Sequence, residues 1–226
     1  MNANYIICVD GLTGVGKTAT ARLVANELGI FHLKGGIFLR TVAFKTMQEG
    51  LQPNDIKGIC ELISRTSIEL QEVKRNEYKI IVDDIDVENL LWTREVSAFV
   101  PEISIIPQVR EYRKKWLRSV VKGKNVITDG RATGKEIFPD AILKVYLSCS
   151  LEERAKRRYL QYNKVTSFEE ILEDIRIRDN KDSQGLIDRH TPSNDALFID
   201  TTFLSLDAVV NLIIEAANKT LQKLSI

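Results

Sequence analysis

Cysteine is scarce in this sequence of 226 residues, which contains three: Cys8, Cys60 and Cys149. Small secreted domains are usually stabilised by paired cysteines, and structural zinc sites need several of them at short spacing. Cys8 and Cys149 lie in apolar runs, where a thiol behaves as a small buried side chain. The pattern therefore argues against disulfide and metal chemistry and predicts a protein of the reducing cytoplasm.

Long hydrophobic runs and a leader segment are also missing. The first residues, MNANYIICVDG, have no basic cluster, and their apolar run covers only residues 5–9. A secretory signal combines a basic start with a longer apolar run, and a membrane span needs about 18 consecutive apolar residues. We therefore expect neither a signal peptide nor a membrane partner.

An excess of charge of one sign is absent as well, because 32 lysines and arginines face 31 aspartates and glutamates. A net charge of +1 creates no field that would attract nucleic acid or a membrane surface. The two histidines, His32 and His190, are too isolated in the sequence to suggest a metal site. Anions must be bound by local groups, so we expect a small-molecule partner. The sequence shows no coiled-coil pattern and no long exposed apolar run, and we expect a monomer.

Short apolar runs alternate with helical patterns along the chain, at residues 5–9, 30–33, 125–128, 143–147 and 196–200. Near-continuous apolar strands of this kind are typical of a parallel sheet that helices cover on both faces. The pattern also predicts that the first helix ends at Gly29 and that the last begins after Ser205. The predicted fold is α/β, with three α/β/α layers and a five-stranded parallel sheet.

The stretch SIELQEVKRNEYKIIVDDIDV interrupts this alternation. Two runs of alternating polar and apolar residues flank the letters RNE, which predicts a β-hairpin. A small antiparallel sheet does not belong in the strand order of a parallel core. We therefore predict an insertion over residues 34–110, with a core made of residues 1–33 and 111–226.

The segment VDGLTGVGKTATARL follows the first apolar run and opens a helical pattern. Gly11, Gly16, Lys17 and Thr18 match the pattern G-x-x-x-x-G-K-[ST] of a phosphate-binding loop. Glycines let the backbone turn its N–H groups toward phosphate oxygens, and the following helix adds the positive end of its dipole. Lys17 can reach the terminal phosphates and the Thr18 hydroxyl can ligate Mg²⁺. The loop predicts a nucleoside triphosphate bound with magnesium, and leaves open whether its γ-phosphate goes to water or to another molecule.

A second charged segment, SLEERAKRRYLQYNK, places Arg154, Arg157 and Arg158 on a helix. Arg154 and Arg158 are four residues apart and therefore share a face. Two interpretations are open: a solvated basic face paired with glutamates, or a mobile lid that stabilises a migrating phosphoryl group and excludes water. Other arginines, which suit bidentate contact with phosphate, are scattered along the chain: Arg40, Arg110, Arg131, Arg178 and Arg189.

With these segments in this order, the chain resembles the bacterial-type cytidylate kinases, a family of P-loop nucleoside monophosphate kinases. The resemblance covers nearly the whole chain and is carried by DGLTGVGKT, GGIFLR, TREV, PQVRE, DGRATGKEIFPDA, SLEERAKRR, RDNKD and DALFIDTTFLSLDAVV. It implies transfer of the γ-phosphate of ATP to CMP or dCMP, with Mg²⁺ and without a covalent intermediate. It also implies that the insertion is a monophosphate-binding subdomain and that roughly residues 152–168 form a short helical lid.

The resemblance assigns a role to each matching residue. The ATP phosphates would be held by Gly11, Leu12, Thr13, Gly14, Val15, Gly16, Lys17, Thr18 and Ala19. The acceptor would be bound by Gly36, Arg40, Arg110, Arg131, Arg178 and Asp182, with Arg40 and Arg131 on its phosphate. Thr18 and Asp129 would hold the magnesium, Asp129 through water, and the catalytic residues would be Lys17, Arg131, Arg154 and Arg158.

Acceptor-side positions depart from the family pattern at Lys34, Gly35, Leu39, Pro101, Ala132 and Gly185. At position 132 the family usually has an aspartate that accepts a hydrogen bond from the amine of cytosine, which an alanine cannot do. A site that hydrogen-bonds a base discriminates by orders of magnitude, so loss of these groups predicts weaker or altered base selectivity. Lys34 adds a positive charge that is compatible with a more anionic acceptor.

Three other functions are compatible with the sequence. A kinase of the same family could act on another phosphorylated metabolite or on a modified nucleotide. A non-catalytic ATP-binding homologue would keep the loop without the reaction, although Lys17, Thr18 and Asp129 argue against it. A nucleic-acid-binding protein would need a basic patch with interleaved aromatic side chains, which the sequence does not show.

Overall fold

The computed structural model describes residues 4–74, 76–161, 165–183 and 191–224, and of Lys181 and Asp182 only the backbone. Its strands are β1 (Ile6–Gly11), β2 (Phe31–Lys34), β3 (Ile68–Lys74), β4 (Glu77–Val82), β5 (Ile85–Asp86), β6 (Val126–Asp129), β7 (Leu143–Ser148) and β8 (Leu197–Asp200). Its helices are α1 (Lys17–Leu28), α2 (Ile37–Gln48), α3 (Ile56–Arg65), α4 (Arg94–Ser104), α5 (Pro107–Val120), α6 (Thr133–Glu136), α7 (Leu151–Gln161), α8 (Phe168–Ser183) and α9 (Leu206–Leu224). None of the helices in the described ranges is long and apolar enough to cross a bilayer. The chain divides into two compact units, Met1–Lys34 with Gly123–Ile226 and Gly35–Lys122.

The first unit is built on a parallel sheet of five strands in the order β2-β6-β1-β7-β8, which confirms the predicted sheet. The register pairs Asp129 with Val9 on one side and with Lys34 on the other. The carboxyl ends of β1, β6 and β2 therefore meet at one edge. Ligands of open α/β sheets bind outside this edge, so the fold itself indicates where to look for a site.

The two faces of this sheet are covered by different helices. Ile7 and Val9 point into an apolar core to which α1 and α9 contribute. On the opposite face, a β-carbon added to Gly134 of α6 would lie 3.0 Å from Lys144 Cγ and 3.3 Å from Cys8 Cβ. The glycine thus lets α6 approach the sheet closely. Helices on both faces agree with the predicted α/β architecture.

Helix ends in this unit follow local sequence signals. α1 ends at Gly29, whose φ of 67° is left-handed and whose N–H bonds to the carbonyls of Ala25 and Asn26. α9 begins after Ser205, whose hydroxyl accepts a hydrogen bond from the N–H of Ala208 at 3.2 Å. Both ends agree with the prediction from the sequence.

The second unit combines helices α2 to α5 with an antiparallel sheet in the order β3-β4-β5. The predicted hairpin is confirmed, because β3 and β4 pair antiparallel and Asn76 turns the chain with a φ of 60°. Apolar side chains of α2 and α5, among them Phe38 and Val109, belong to a core of this unit alone. The unit extends to Lys122 and includes all of α5, whereas the boundary predicted at residue 110 falls inside that helix.

Candidate active site

The loop between β1 and α1 carries the glycines of the phosphate-binding pattern. Gly14 and Gly16 have φ angles of 81° and 96°, in the left-handed region that other residues adopt only with strain. Gly11, with a φ of 146°, lies so close to β7 that a β-carbon would come within 2.3 Å of the Leu147 carbonyl oxygen. Consecutive turns of this kind form a concavity that binds anions through backbone N–H groups. The loop therefore requires glycine at these positions.

Lys17, the first residue of α1, folds back over this loop, and its Nζ donates a hydrogen bond to the Leu12 carbonyl oxygen at 2.5 Å. Its pKa is lowered to about 7, first by burial and then by the positive charge of Arg131, with a smaller effect of Arg158. Asp129 acts in the opposite direction. A phosphate in the loop would give the ammonium a counter-charge and replace the Leu12 carbonyl as its partner.

Asp129 ends β6 and is 7% exposed. Its Oδ2 accepts a hydrogen bond from the Thr18 hydroxyl at 2.7 Å, and its Oδ1 lies 2.9 Å from His32 Nε2. Burial by itself raises the pKa of this carboxyl, but the hydrogen bond and charge of His32, the hydrogen bond of Thr18 and the charge of Lys17 outweigh it. The pKa of Asp129 therefore lies below its ordinary value, and the group is a carboxylate at neutral pH.

The oxygen atoms of Thr18 and Asp129 suit magnesium. Mg²⁺ prefers hard oxygen ligands, and it usually takes one or two from the protein while waters and substrate phosphates complete its octahedron. The contact between Thr18 and Asp129 places a hydroxyl and a carboxylate together beside the loop. The described residues contain no group of three or more His, Cys, Asp and Glu side chains that could hold a metal alone. The donor set therefore fits a metal that arrives with a phosphate substrate.

Asp10, at the end of β1, was not among the residues predicted from the sequence. Its carboxylate oxygens accept the N–H groups of Thr133 and Gly134 at 2.7 and 2.8 Å. These bonds anchor the start of α6 and hence the turn that carries Arg131. The only local signal for this role is an acidic residue directly before the first glycine of the loop.

Arg154 and Arg158 of α7 both contact the phosphate loop at Thr13. Arg154 is only 5% exposed, and its Nη1 donates to the Thr13 carbonyl oxygen at 3.2 Å. Arg158 Nη2 donates to the Thr13 hydroxyl at 3.1 Å. Arg154 is therefore not part of a solvated basic face, and the mobile lid stays a prediction.

The other contacts of α7 separate its arginines into two groups. Arg154 Nη2 lies 2.7 Å from Asp179 Oδ2 of α8, and both side chains are largely buried. Arg157 turns elsewhere: its Nη2 donates to the Thr201 carbonyl oxygen at 2.6 Å, and its Nε donates to Glu153 at 3.1 Å. Arg157 thus connects α7 with the segment after β8, whereas Arg154 connects α8 with the phosphate loop. Asp179, like Asp10, was not predicted as part of a site.

The remaining predicted residues of this unit lie on α8 or beyond it. Arg178 precedes Asp179 on α8 and is partly buried. Asp182 belongs to the last turn of the helix, and its side chain is outside the described residues, as are Gly185 and Arg189 altogether.

Two of the residues predicted to bind the acceptor lie at the start of α2 in the second unit. Gly36 precedes the first turn of α2, and Arg40 follows one turn later. Arg40 Nη1 donates to the Leu91 carbonyl oxygen and to the Ser97 hydroxyl, each at 2.9 Å. Its guanidinium carbon lies 4.4 Å from the centre of the Trp92 ring, a cation–π contact. The Trp92 ring therefore helps to orient a guanidinium that is predicted to bind the acceptor phosphate.

The residues that depart from the family pattern are mostly buried and apolar. Leu39 is 9% exposed and belongs to the core of the second unit, and Pro101 is buried inside α4. Ala132 is 7% exposed at the start of α6, and Lys34 ends β2. Arg110, predicted to touch the base, lies in the first turn of α5 and is partly buried.

A parallel sheet whose first strand runs into a glycine loop and a Lys-Thr helix start defines the class of P-loop nucleotide-binding proteins. The family model of cytidylate kinase matches residues 7–219, and this chain belongs to that family. A cytidylate kinase of Caldanaerobacter subterraneus is 36% identical over 222 residues, which cover 97% of each chain. One of Caldicellulosiruptor bescii is 32% identical over 219 residues, which cover 96% of each.

Solved structures with the same fold are more distant in sequence. An uncharacterized protein from Eubacterium ventriosum has a TM-score of 0.52 at 11% identity, covering 96% of this chain and 99% of its own. A gluconokinase from Sinorhizobium meliloti has a TM-score of 0.51 at 13% identity, covering 99% and 98%. At these identities the likeness shows the fold alone.

Proposed function

We propose that this protein transfers the γ-phosphoryl group of ATP to a pyrimidine nucleoside monophosphate, CMP or dCMP. The bond from the γ-phosphorus to the bridging oxygen of the β-phosphate breaks, a bond to an acceptor phosphate oxygen forms, and ADP and the nucleoside diphosphate leave. The observation that carries this proposal is the contact of Thr18 with Asp129 beside a glycine loop covered by Lys17. Membership of the cytidylate kinase family supports the acceptor class.

In this proposal the loop from Gly11 to Ala19 binds the ATP phosphates through its backbone N–H groups and the start of α1. Lys17 exchanges the Leu12 carbonyl for a phosphate oxygen and follows the charge of the transferred group. Its depressed pKa supports this role, because a phosphate dianion is the counter-charge that the ammonium lacks in the free protein.

Thr18 and Asp129 are the residues that would hold magnesium, Thr18 as a ligand and Asp129 through water. When bound, the metal neutralises negative charge on the phosphate oxygens and orients them for in-line displacement. Asp129 contributes a full negative charge because hydrogen bonds keep it ionised despite its burial.

Arg131, Arg154 and Arg158 supply positive charge where the transition state spreads negative charge over three oxygens. The contacts of Arg154 and Arg158 with Thr13 support this role, since both cations already lie at the loop in the free protein. The ion pair of Arg154 with Asp179 fixes one of them further and links α8 to the same loop. Preorganised charge of this kind needs little rearrangement during the reaction.

The acceptor residues of the proposal are Gly36, Arg40, Arg110, Arg131, Arg178 and Asp182. Arg40 and Arg131 bind the acceptor phosphate, Arg110 contacts the base, and Arg178 and Asp182 approach the sugar. The contacts of Arg40 with Leu91, Ser97 and Trp92 support its role, because a guanidinium held in place loses little entropy on binding.

Base recognition is altered in this proposal. Ala132 offers a methyl group, and Pro101 has neither a hydroxyl nor an N–H, so neither side chain can hydrogen-bond the edge of a base. Without these two partners, recognition of the base depends on fewer hydrogen bonds, which provides less selectivity. We therefore expect CMP and dCMP to be preferred over UMP by a small factor.

The experiment that tests this function is ADP release from Mg-ATP with each of CMP, dCMP, UMP, AMP, GMP and dTMP. Lys17→Met serves as the blank, and Lys57→Met, at an exposed lysine of α3, serves as the matched control. Turnover with CMP or dCMP that is lost in Lys17→Met and kept in Lys57→Met supports the proposal. Turnover only with a purine nucleotide, or ATP binding without turnover on any acceptor, contradicts it.

A further inference from the structure

Given the phosphoryl transfer proposed above, we propose that His32 is a positioning residue for the reaction. Its imidazole holds one oxygen of Asp129, so that the other oxygen faces Thr18 and the magnesium shell. His32 is the histidine of the described residues that contacts the predicted metal residues, and its role was not apparent from the sequence, where it stands alone.

The two oxygens of Asp129 have different partners in the structure. Oδ1 lies 2.9 Å from His32 Nε2, and Oδ2 lies 2.7 Å from the Thr18 hydroxyl. Because a carboxylate only accepts hydrogen bonds, His32 Nε2 carries the proton and donates it. With one oxygen held by His32, the orientation of the carboxylate group is defined before any metal arrives.

The sheet explains why this pair forms. Lys34 of β2 stands beside Asp129 of β6, and His32 stands beside Ile127. Side chains alternate along strands, and Ile127 lies two residues before Asp129. His32 and Asp129 therefore point to the same face of the sheet. Both residues are nearly inaccessible to solvent, at 3% and 7% exposure. A buried pair with this geometry exchanges its partners only at a high cost in free energy.

The consequence for function follows from the position of Thr18. Its hydroxyl could ligate a metal through an oxygen lone pair while its proton stays bonded to Asp129 Oδ2, and the second lone pair of Oδ2 could accept from a metal-bound water. Without His32, the Asp129 carboxylate could rotate and present either oxygen to Thr18 or to Lys17. The metal shell would lose a fixed acceptor, and metal affinity would fall even though Asp129 itself remained.

Three substitutions separate this role from simple packing. His32→Leu removes the donor and keeps an apolar side chain in the buried site. His32→Gln keeps an amide N–H at a reach comparable to that of Nε2, so it is the conservative variant. Thr128→Val is the matched control, because Thr128 precedes Asp129, is fully buried, and its hydroxyl has no hydrogen-bond partner among the described residues.

The readout is Mn²⁺ affinity, measured by electron paramagnetic resonance of free Mn²⁺ in the presence of a non-hydrolysable ATP analogue. We expect His32→Leu to weaken Mn²⁺ binding about tenfold or more, as is usual when the partner of a metal-site residue is lost. His32→Gln should stay within about threefold of the natural protein, and Thr128→Val should not change it. Steady-state kinetics should show the same order in kcat, with the KM for ATP nearly constant.

Equal losses of Mn²⁺ affinity in His32→Leu and His32→Gln, or an unchanged affinity in His32→Leu, would overturn the proposal. If His32→Leu fails to fold, His32→Asn takes its place, since its shorter amide cannot reach Asp129 and should reproduce the loss. The titration contains no acceptor, so it tests His32 even if CMP and dCMP prove inactive. Failure of the proposed function and failure of this inference are thereby distinguishable.

Discussion

The phosphate loop of the first unit and the start of α2 in the second unit, which are both predicted to bind anions, are built by different means. In the loop, backbone turns at Gly14 and Gly16 shape the concavity. At α2, a side chain is held in place instead, because Arg40 donates a hydrogen bond to Ser97 and contacts the Trp92 ring. Backbone N–H groups are common to all residues except proline, whereas side-chain contacts change with a single substitution. We therefore expect substitutions to impair ATP binding chiefly at the glycines of the loop, and acceptor recognition at individual side chains such as Arg40.

The largest effect is expected at the loop. Lys17→Met should lower kcat about a thousandfold, because the transition state loses its closest mobile positive charge. The free protein should remain folded, since the substitution also removes a buried cation whose pKa is strongly depressed. Coupled assays of ADP release and thermal unfolding measure both effects. If kcat fell by less than about tenfold, the role assigned to Lys17 at the phosphate loop would be wrong.

A smaller effect is expected at position 132, where the family pattern has an aspartate and this chain has an alanine. Here a substitution should increase selectivity instead of lowering activity. Ala132→Asp introduces a carboxylate that can accept a hydrogen bond from the amine of cytosine. The ratio of kcat/KM for CMP to that for UMP should rise about tenfold or more, because a matched polar group discriminates strongly. Ala132→Leu, which adds a side chain of similar size without a hydrogen-bond acceptor, is the control. An unchanged ratio in Ala132→Asp would mean that base selectivity does not depend on this position.

Removing the contact that Trp92 makes with Arg40 should have a still smaller effect. Trp92→Leu removes the ring against the guanidinium, a contact of about 0.5–2 kcal/mol, so the KM for the acceptor should rise about fivefold. The KM for ATP should not change, because the loop does not depend on this contact. Initial-rate kinetics with each substrate varied in turn measure the split. Equal increases in both KM values would contradict a role limited to the acceptor.

The smallest effect concerns stability rather than activity. Asp83 in the second unit lies 2.9 Å from Lys45, and it accepts a hydrogen bond from the N–H of Ser67. Burial raises the pKa of Asp83, but these partners lower it to below its ordinary value. Because the folded pKa is lower than the unfolded one, the stabilisation is complete above about pH 4 and is lost as the pH falls through the folded value.

Asp83→Asn should therefore lower the free energy of unfolding by roughly 0.5 kcal/mol at pH 6, since the pair is partly exposed and screened. At a pH below the folded pKa of Asp83, where the carboxyl is protonated in both states, the variant and the natural protein should be equally stable. Urea unfolding at the two pH values measures the difference. A constant difference across pH would rule out an electrostatic origin.

The elements predicted from the sequence are those with strong local signals. The apolar runs of β1, β6 and β7, the glycine that ends α1 and the hairpin turn all agree with the structure. Helices α3 to α5 were not predicted one by one, because within the insertion their apolar positions follow no simple alternation with strands. The position of Pro101 inside α4 shows why, since proline is a poor signal of a helix interior.

Predictions of the site from the sequence depend on how local each contact is. The loop residues are contiguous, so their pattern alone identified them. Thr18 and Asp129 are 111 residues apart, and their pairing was expected only from the family resemblance. Asp10, Asp179 and His32 were not predicted, because their contacts depend on how elements pack.

Taken by itself, the sequence determined the parallel α/β core and the phosphate-binding loop, because both follow from local periodicity and from glycines that the backbone requires. The tertiary structure alone decided which groups surround that loop. His32 and Asp129 are 97 residues apart and meet only because β2 and β6 are neighbours in the sheet. Strand order is set by the packing of the whole unit, and no local pattern contains it.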